Sequence, residues 1–188
     1  TAHIAISSGE AFYPSQTIDV CLMVYAAGDD APPIGYFDTP GEGAAISGSV
    51  AVTGWALDDI GVKRVEIWRD PDADDPDGAI GPEGLIYIGD AVFVEGARPD
   101  IETLYPDYPQ SKHAGWGYML LTYGLPRRGN GSFCLRAIAE EWNGRRTELG
   151  TKQITADNAS AVKPFGAIDT PAQGGTASGN AYLNFGWA

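Results

Sequence analysis

The chain of 188 residues is short of several things, and each shortage narrows what it can be. Two cysteines and two histidines, His3 and His113, are too few to build a zinc site within one unit. Only 12 basic residues stand against 25 acidic ones, a formal net charge of −13. A surface of that sign repels phosphate backbones, so nucleic acid is not an expected partner. No apolar run approaches the ~18–20 residues that a membrane-spanning helix needs, and no membrane insertion is expected. There is no Gly-x-Ser-x-Gly, no His-Glu-x-x-His and no phosphate-binding glycine loop. A glycosidase carboxylate pair is recognised by geometry rather than by sequence. No enzymatic activity is expected, and no cofactor apart from calcium.

What the chain has in plenty is turn formers, 25 glycines and 13 prolines, together with 44% hydrophobic residues. Its 11% aromatic content belongs to a folded protein rather than a disordered one. It also repeats itself. Residues 35–48 align without a gap on 166–179, and seven of the 14 pairs are identical: Gly35, Asp38, Thr39, Pro40, Gly43, Ser47 and Gly48 recur as Gly166, Asp169, Thr170, Pro171, Gly174, Ser178 and Gly179. One residue later in register, Gly54-Trp55-Ala56 returns as Gly186-Trp187-Ala188. A fixed long period is the mark of a tandem array. Carried backwards, the same offset sets Ile4 against Leu135, Ile18 against Leu149 and Met23 against Ile154, so apolar positions stay in phase where identity is lost. The expected organisation is therefore 1–34 as terminal strands of a preceding repeat or an N-terminal extension, 35–158 as one complete sandwich, and 159–188 as a connector and the first strands of a following repeat. Cys21 and Cys134 fall at non-equivalent places in different units, so two buried thiols are expected rather than a disulfide.

Strand signals dominate the middle of the chain. "SVAVTGW" alternates, with Val50, Val52 and Gly54 on one face, and Asp58, Asp59 and Gly61 read as the turn that follows. "VKRVEIWRD" directs Val65 and Ile67 one way and Arg64, Glu66 and Trp68 the other. "LIYIGDAVFVEG" reads as one or two strands bent at Gly89-Asp90. In "ARPDIETLYPDYP", Pro99 suits a first helical turn, Asp100 and Glu102 favour its positive end, and Pro106 stops it. Ile101, Leu104 and Tyr105 are expected on its buried face. "GWGYMLLTYGLP" is apolar on both faces and so expected to be central. "GSFCLRAIAEEW" and "TELGTKQITA" form a hairpin about Asn143-Gly144. Six to eight short strands without a βαβ rhythm predict an all-β, two-sheet antiparallel sandwich with one short helix inserted.

The stretches "DTP…SG…VTGWALDD…GV..VEIWRD", "VFVEGARPDI..LYP.YP...AGWGYMLLT" and "KPFGAIDTPAQGGTASG" resemble the tandem bacterial immunoglobulin-like (Big-type) repeats of large secreted or surface proteins. The resemblance covers about residues 33–188. It implies an immunoglobulin-like sandwich and an extracellular or cell-surface location, where such repeats act as spacers, adhesive modules and appendages. The expected partners are neighbouring repeats or other copies of the same chain, met by strand complementation, and polysaccharide in the alternative reading of a carbohydrate-binding module.

Two stretches are candidate sites. Asp70, Asp72, Asp74, Asp75 and Asp77 offer the carboxylate oxygens that calcium takes. Their spacing imitates an EF-hand, but the glycine falls one place late and Pro76 occupies a ligand position, so a solvated acidic loop stands beside that reading. The long excursion between Gly96 and Gly115 carries Tyr105 and Tyr108 and leads into Trp116, with Arg98 at hand. Aromatic faces of this kind stack on sugar rings; the other reading buries Tyr105 and Trp116 under the helix. Trp68 is either an exposed contact residue or, turned inward by a bulge, the core tryptophan of its strand.

Overall fold

The protein is described as a computed structural model covering residues 2–7, 15–20, 30–81, 83–162, 167–176, 178–179 and 185–187. A short hairpin, β1 (Ala2–Ser7) on β2 (Ser15–Val20), stands first. The sandwich follows. One sheet runs β3 (Ile34–Thr39), β5 (Ser49–Leu57), β9 (Gly115–Leu121), β8 (Val92–Phe93). The facing sheet runs β4 (Ala44–Ile46), β11 (Arg146–Asp157), β10 (Asn130–Glu141), β6 (Val62–Arg69), β7 (Ile86–Asp90). All pairings are antiparallel except β4 on β11, which is parallel. That order is the immunoglobulin-like arrangement of two sheets, with the first strand split between them. A second hairpin, β12 (Ala167–Thr170) on β13 (Phe185–Trp187), ends the chain.

The core is built on the alternation of the strands. Val52 and Ala56 of β5 meet Val65 and Ile67 of β6 and Leu135, Ala137 and Ala139 of β10, all nearly free of solvent. Burying each of the valine, isoleucine and leucine side chains contributes roughly 1.5–3 kcal/mol, and each alanine about 1 kcal/mol or less. Gly54 holds the centre open. It lies opposite Phe37 on one side and Trp116 on the other, and a Cβ there would strike the Tyr36 carbonyl and the Trp116 ring. Trp116, 2% exposed, packs tilted on Phe37 at 5.9 Å and is the tryptophan of the core.

Trp68 is not. The register between β6 and β7 slips between Ile67 and Trp68, but the extra residue is Ile88 on β7, so the inward row Val65, Ile67, Arg69 of β6 continues unbroken. Trp68 stays on the outer face, edge-on to Tyr87 at 5.1 Å and beneath the Arg146 guanidinium. That outer face is drier than alternation suggests. Glu66 is buried, ringed by Arg64, Arg146 and the Trp68 indole N–H.

The short helix α1 (Pro99–Leu104) begins with the expected proline and buries Ile101 against Leu57 and Ala114. Leu104, the last helical residue, points to solvent instead of sharing that face, and Tyr105 after it leaves helical angles (φ −128°). Pro126–Gly129 is a tight turn rather than a regular helix, with Arg127, Arg128 and Gly129 all left-handed. β9 is paired on both sides, but β8 reaches only Trp116 and Gly117. Met119 and Leu121 are therefore exposed, although both were expected inside a central strand. The hairpin at Asn143-Gly144 forms as expected, with Gly144 at φ 92°. Cys134 is a free, half-buried thiol, its pKa raised by burial and by Asp70 nearby; Cys21 lies outside the described residues.

Candidate functional site

The two hairpins that share sequence also share geometry. In the sandwich Tyr36 faces Trp55, Phe37 faces Gly54 and Thr39 faces Thr53; at the end of the chain Ala167 faces Trp187, Ile168 faces Gly186 and Thr170 faces Phe185. The register slips at the same step in both, and Gly43 and Gly174 take the same left-handed angle, φ 72° and 74°. Each turn closes with the same backbone bond, Ala44 N–H to the Gly41 carbonyl and Gly175 N–H to the Ala172 carbonyl. The difference lies in what covers them. Phe37 is 1% exposed, whereas its counterpart Ile168 is 78% exposed. The first hairpin of the chain does not match the end of the sandwich so closely: Ile4 faces Ile18, but Leu135 faces Lys152 rather than Leu149.

The acidic loop is held by arginines. Arg69 is buried and grips Asp75, with Nη1 donating to Oδ2 at 2.6 Å. Arg127 joins Asp72 and Asp74, and Arg136 donates to Asp70 at 2.6 Å. Hydrogen bonds from these guanidiniums hold the carboxyls of Asp70, Asp72 and Asp75 below the usual carboxylate range. The side chain of Asp77 lies outside the described residues.

The aromatic candidates are scattered. Tyr105 is half-buried and stacks on Trp55 at 5.8 Å, and Tyr108 meets Tyr105 edge-on at an interplanar angle of 81°. Both pack on the Leu57, Ile101 and Ala114 cluster. Arg98 is fully engaged, donating to Asp38 at 2.6 Å and to both oxygens of Asp100, whose carboxyl it lowers to about 2. A groove of about 320 Å³ opens beside β9 and β7, lined by Tyr87, Ile88, Tyr118 and Met119.

A different set of carboxylates gathers where the chain enters the sandwich. The inward row of β5 runs Val52, Gly54, Ala56 and then Asp58; that of β10 runs Leu135, Ala137, Ala139 and then Glu141. Both rows end in an acid at the same end of the sandwich. Asp58 is 1% exposed and Glu141 0%. The Ile60 N–H caps Asp58 Oδ1 at 2.9 Å, and the Ala31 N–H donates to Asp59 Oδ2 at 3.1 Å. Asp30 receives the side chains of Asn143 and Arg145. Four buried oxygens in this group have no hydrogen-bond partner: Asp58 Oδ2, Asp59 Oδ1 and both of Glu141. Burial and the adjoining Asp58 carboxyl push Glu141 up to about 7, and burial raises Asp58 as well. Among the described residues no three such side chains are gathered closely enough to hold a metal as they stand. Sequence reading took Asp58 and Asp59 for turn formers and passed over Glu141; the in-phase ending of two core rows was the available signal.

No protein-family model matches the sequence, and no curated protein does. Among solved structures, the fibronectin(III)-like modules of Clostridium thermocellum CbhA are similar at 15% identity, with a TM-score of 0.41. That likeness covers 81% of this chain and 57% of that one, so the chain spans little more than half of that structure. The immunoglobulin-like assignment rests on the strand order itself. No helix among the described residues is long and apolar enough to cross a membrane.

Proposed function

We propose that this chain is a structural and interaction module of a tandem immunoglobulin-like array, on a bacterial surface or in a secreted protein. The observation that carries the reading is the closing hairpin. It repeats three residue pairs of β3 on β5, their register slip and the turn bond that follows, yet leaves Ile168, the counterpart of core residue Phe37, open to water. A two-stranded hairpin is marginal by itself, and its apolar face and free edges favour more strands. Following repeat or second copy, whatever supplies those strands continues the array, and units joined so add their stabilities along the chain. In this reading residues 1–34 are the end of a preceding unit and 159–188 the start of the next. The edge of β9 from Tyr118 to Leu121, beyond the reach of β8, offers a second copy a strand to pair with.

Light scattering over about a hundredfold range of protein concentration tests the self-pairing form. Mass that climbs with concentration, and stops climbing in Ile168→Asp, supports it. A constant monomer mass limits the chain to a bead whose hairpin is completed by further sequence. The carbohydrate-binding alternative is not favoured: Trp116 is enclosed, and Tyr105 and Tyr108 stand perpendicular rather than coplanar.

A further inference from the structure

We propose that Asp58, Asp59 and Glu141, with Asp30 beside them, form a binding site for one divalent cation of the calcium kind at the end of the sandwich where the chain enters. The acidity of the cluster is not the argument. The argument is the four bare oxygens on three side chains, in a place where Asp58 and Glu141 are almost wholly cut off from water. A buried carboxylate without a partner is costly, and native proteins leave very few. Carboxylates hold acceptors only, so Asp58 and Glu141 cannot satisfy each other unless they share a proton. One proton supplies one donor, which serves two of the four oxygens and leaves one of Glu141 and that of Asp59 bare.

A cation serves them all. Calcium takes six to eight oxygens at roughly 2.3–2.6 Å in a flexible shell, and carboxylates are its usual ligands. Among the described residues no thiol or imidazole is in the cluster, and the carboxylate set suits a hard cation rather than zinc or the later transition metals. The charge agrees: four carboxylates face one guanidinium, Arg145, whose Nε lies 3.4 Å from Glu141 Oε1 and whose Nη2 lies 3.2 Å from Asp30 Oδ2. Asp58 and Glu141 are the fixed ligands, anchored at the ends of β5 and β10. Asp59 closes on the ion by rotating its free oxygen, so binding includes a small movement of side chains. Asp30 is tied to the same hairpin through Asn143 and through its own carbonyl, which accepts from Arg145. An ion here therefore joins the entering segment to the β5–β6 turn and the β10–β11 hairpin, and it does so whether or not the chain belongs to an array.

The test uses the full chain stripped with EDTA and titrated with calcium chloride. The melting temperature is expected to rise saturably, by about 3 °C or more near 1 mM calcium. Terbium is expected to luminesce when Trp142, next in sequence to Glu141, is excited, and calcium to quench that signal by displacement. Glu141→Gln and Asp58→Asn keep the side-chain volume and are each expected to weaken the response at least about tenfold, since ligand charge sets calcium affinity. Asp74→Asn, in the arginine-held loop, is expected to leave it intact. The proposal is overturned if neither calcium nor terbium gives a response. It is overturned equally if potassium chloride at matched ionic strength does as much, if both cluster variants respond like the parent, or if Asp74→Asn alone abolishes the effect. Calcium response and molar mass are separate readouts, so this site and the array reading can fail independently.

Discussion

The two ends of the sandwich handle negative charge in opposite ways. Strand β6 leads from one to the other. At its C-terminal end the loop of Asp70 to Asp75 meets Arg69, Arg127 and Arg136, and each described carboxylate has a guanidinium of its own or shares one. At its N-terminal end Asp58, Asp59 and Glu141 are gathered about one another, and among the described residues Arg145 is the guanidinium that offsets them and Asp30. The richer run of aspartates, which looks the more like a metal site in sequence, is the one already neutralised by the protein. The sparser set, two acids at the ends of core rows, is the one left unsatisfied. What makes a site is the balance of partners after folding, not the density of carboxylates along the chain.

Mutation can sharpen that contrast. The largest effect is expected at Arg69, which is buried with Asp75. Arg69→Ala strands a buried carboxylate and should cost about 3–5 kcal/mol, read from urea unfolding, whereas replacing both partners with apolar residues of similar volume should recover most of the loss. If Arg69→Ala costs less than about 1 kcal/mol, the loop is not held as described. The entry end should behave inversely. With divalent ions removed, Glu141→Gln deletes a buried charge that has no full partner and should raise stability by about 1 kcal/mol. A comparable loss would mean that Glu141 is paired after all.

The pH dependence of the arginine-held loop follows from its lowered carboxyls. Asp70, Asp72 and Asp75 have folded values below their unfolded ones, so the stability they contribute is complete above about pH 4 and disappears as pH falls through the folded values. The urea midpoint should therefore drop on the acid side, and Asp75→Asn should flatten that limb. An unchanged limb in this variant would place the acid sensitivity elsewhere. The smallest effect is expected at Arg136. Its bonds to Asp70 and Glu148 lie at the surface, and Arg136→Ala should cost about 0.5 kcal/mol or less, diminishing in high salt.

Much of the fold was legible before folding. The alternation of Val50, Val52 and Gly54 gave β5 and its inward face, Pro99 with Asp100 and Glu102 gave the helix start, and Asn143-Gly144 gave the long hairpin. These are local rules, in which each residue interacts with neighbours two to four places away. Legibility failed where a residue's surroundings come from another strand. Parity sets Trp68 beside Glu66 on an outward face and a bulge is what would turn it into the core; it stays outward, and Arg146 of β11 closes over both. Leu104 was placed inside by helical spacing, but at the last position of a six-residue helix it is exposed, while Ile101 one turn earlier takes the buried place. The aromatics from Trp68 to Trp116 were candidates for one surface, and the fold divides them among an outer face, a helix seat and the core.

By itself the sequence determined the strand periods, the turns, the inserted helix and the repetition of the opening hairpin at the end of the chain, because all of these are written in spacing and in glycine and proline placement. Only the tertiary structure decided which carboxylates found partners. Asp58 and Glu141 stand on different strands of different sheets, and their meeting depends on two core rows ending at the same level of the sandwich. Electrostatic environment is a property of distance and burial, and neither exists until the chain has folded.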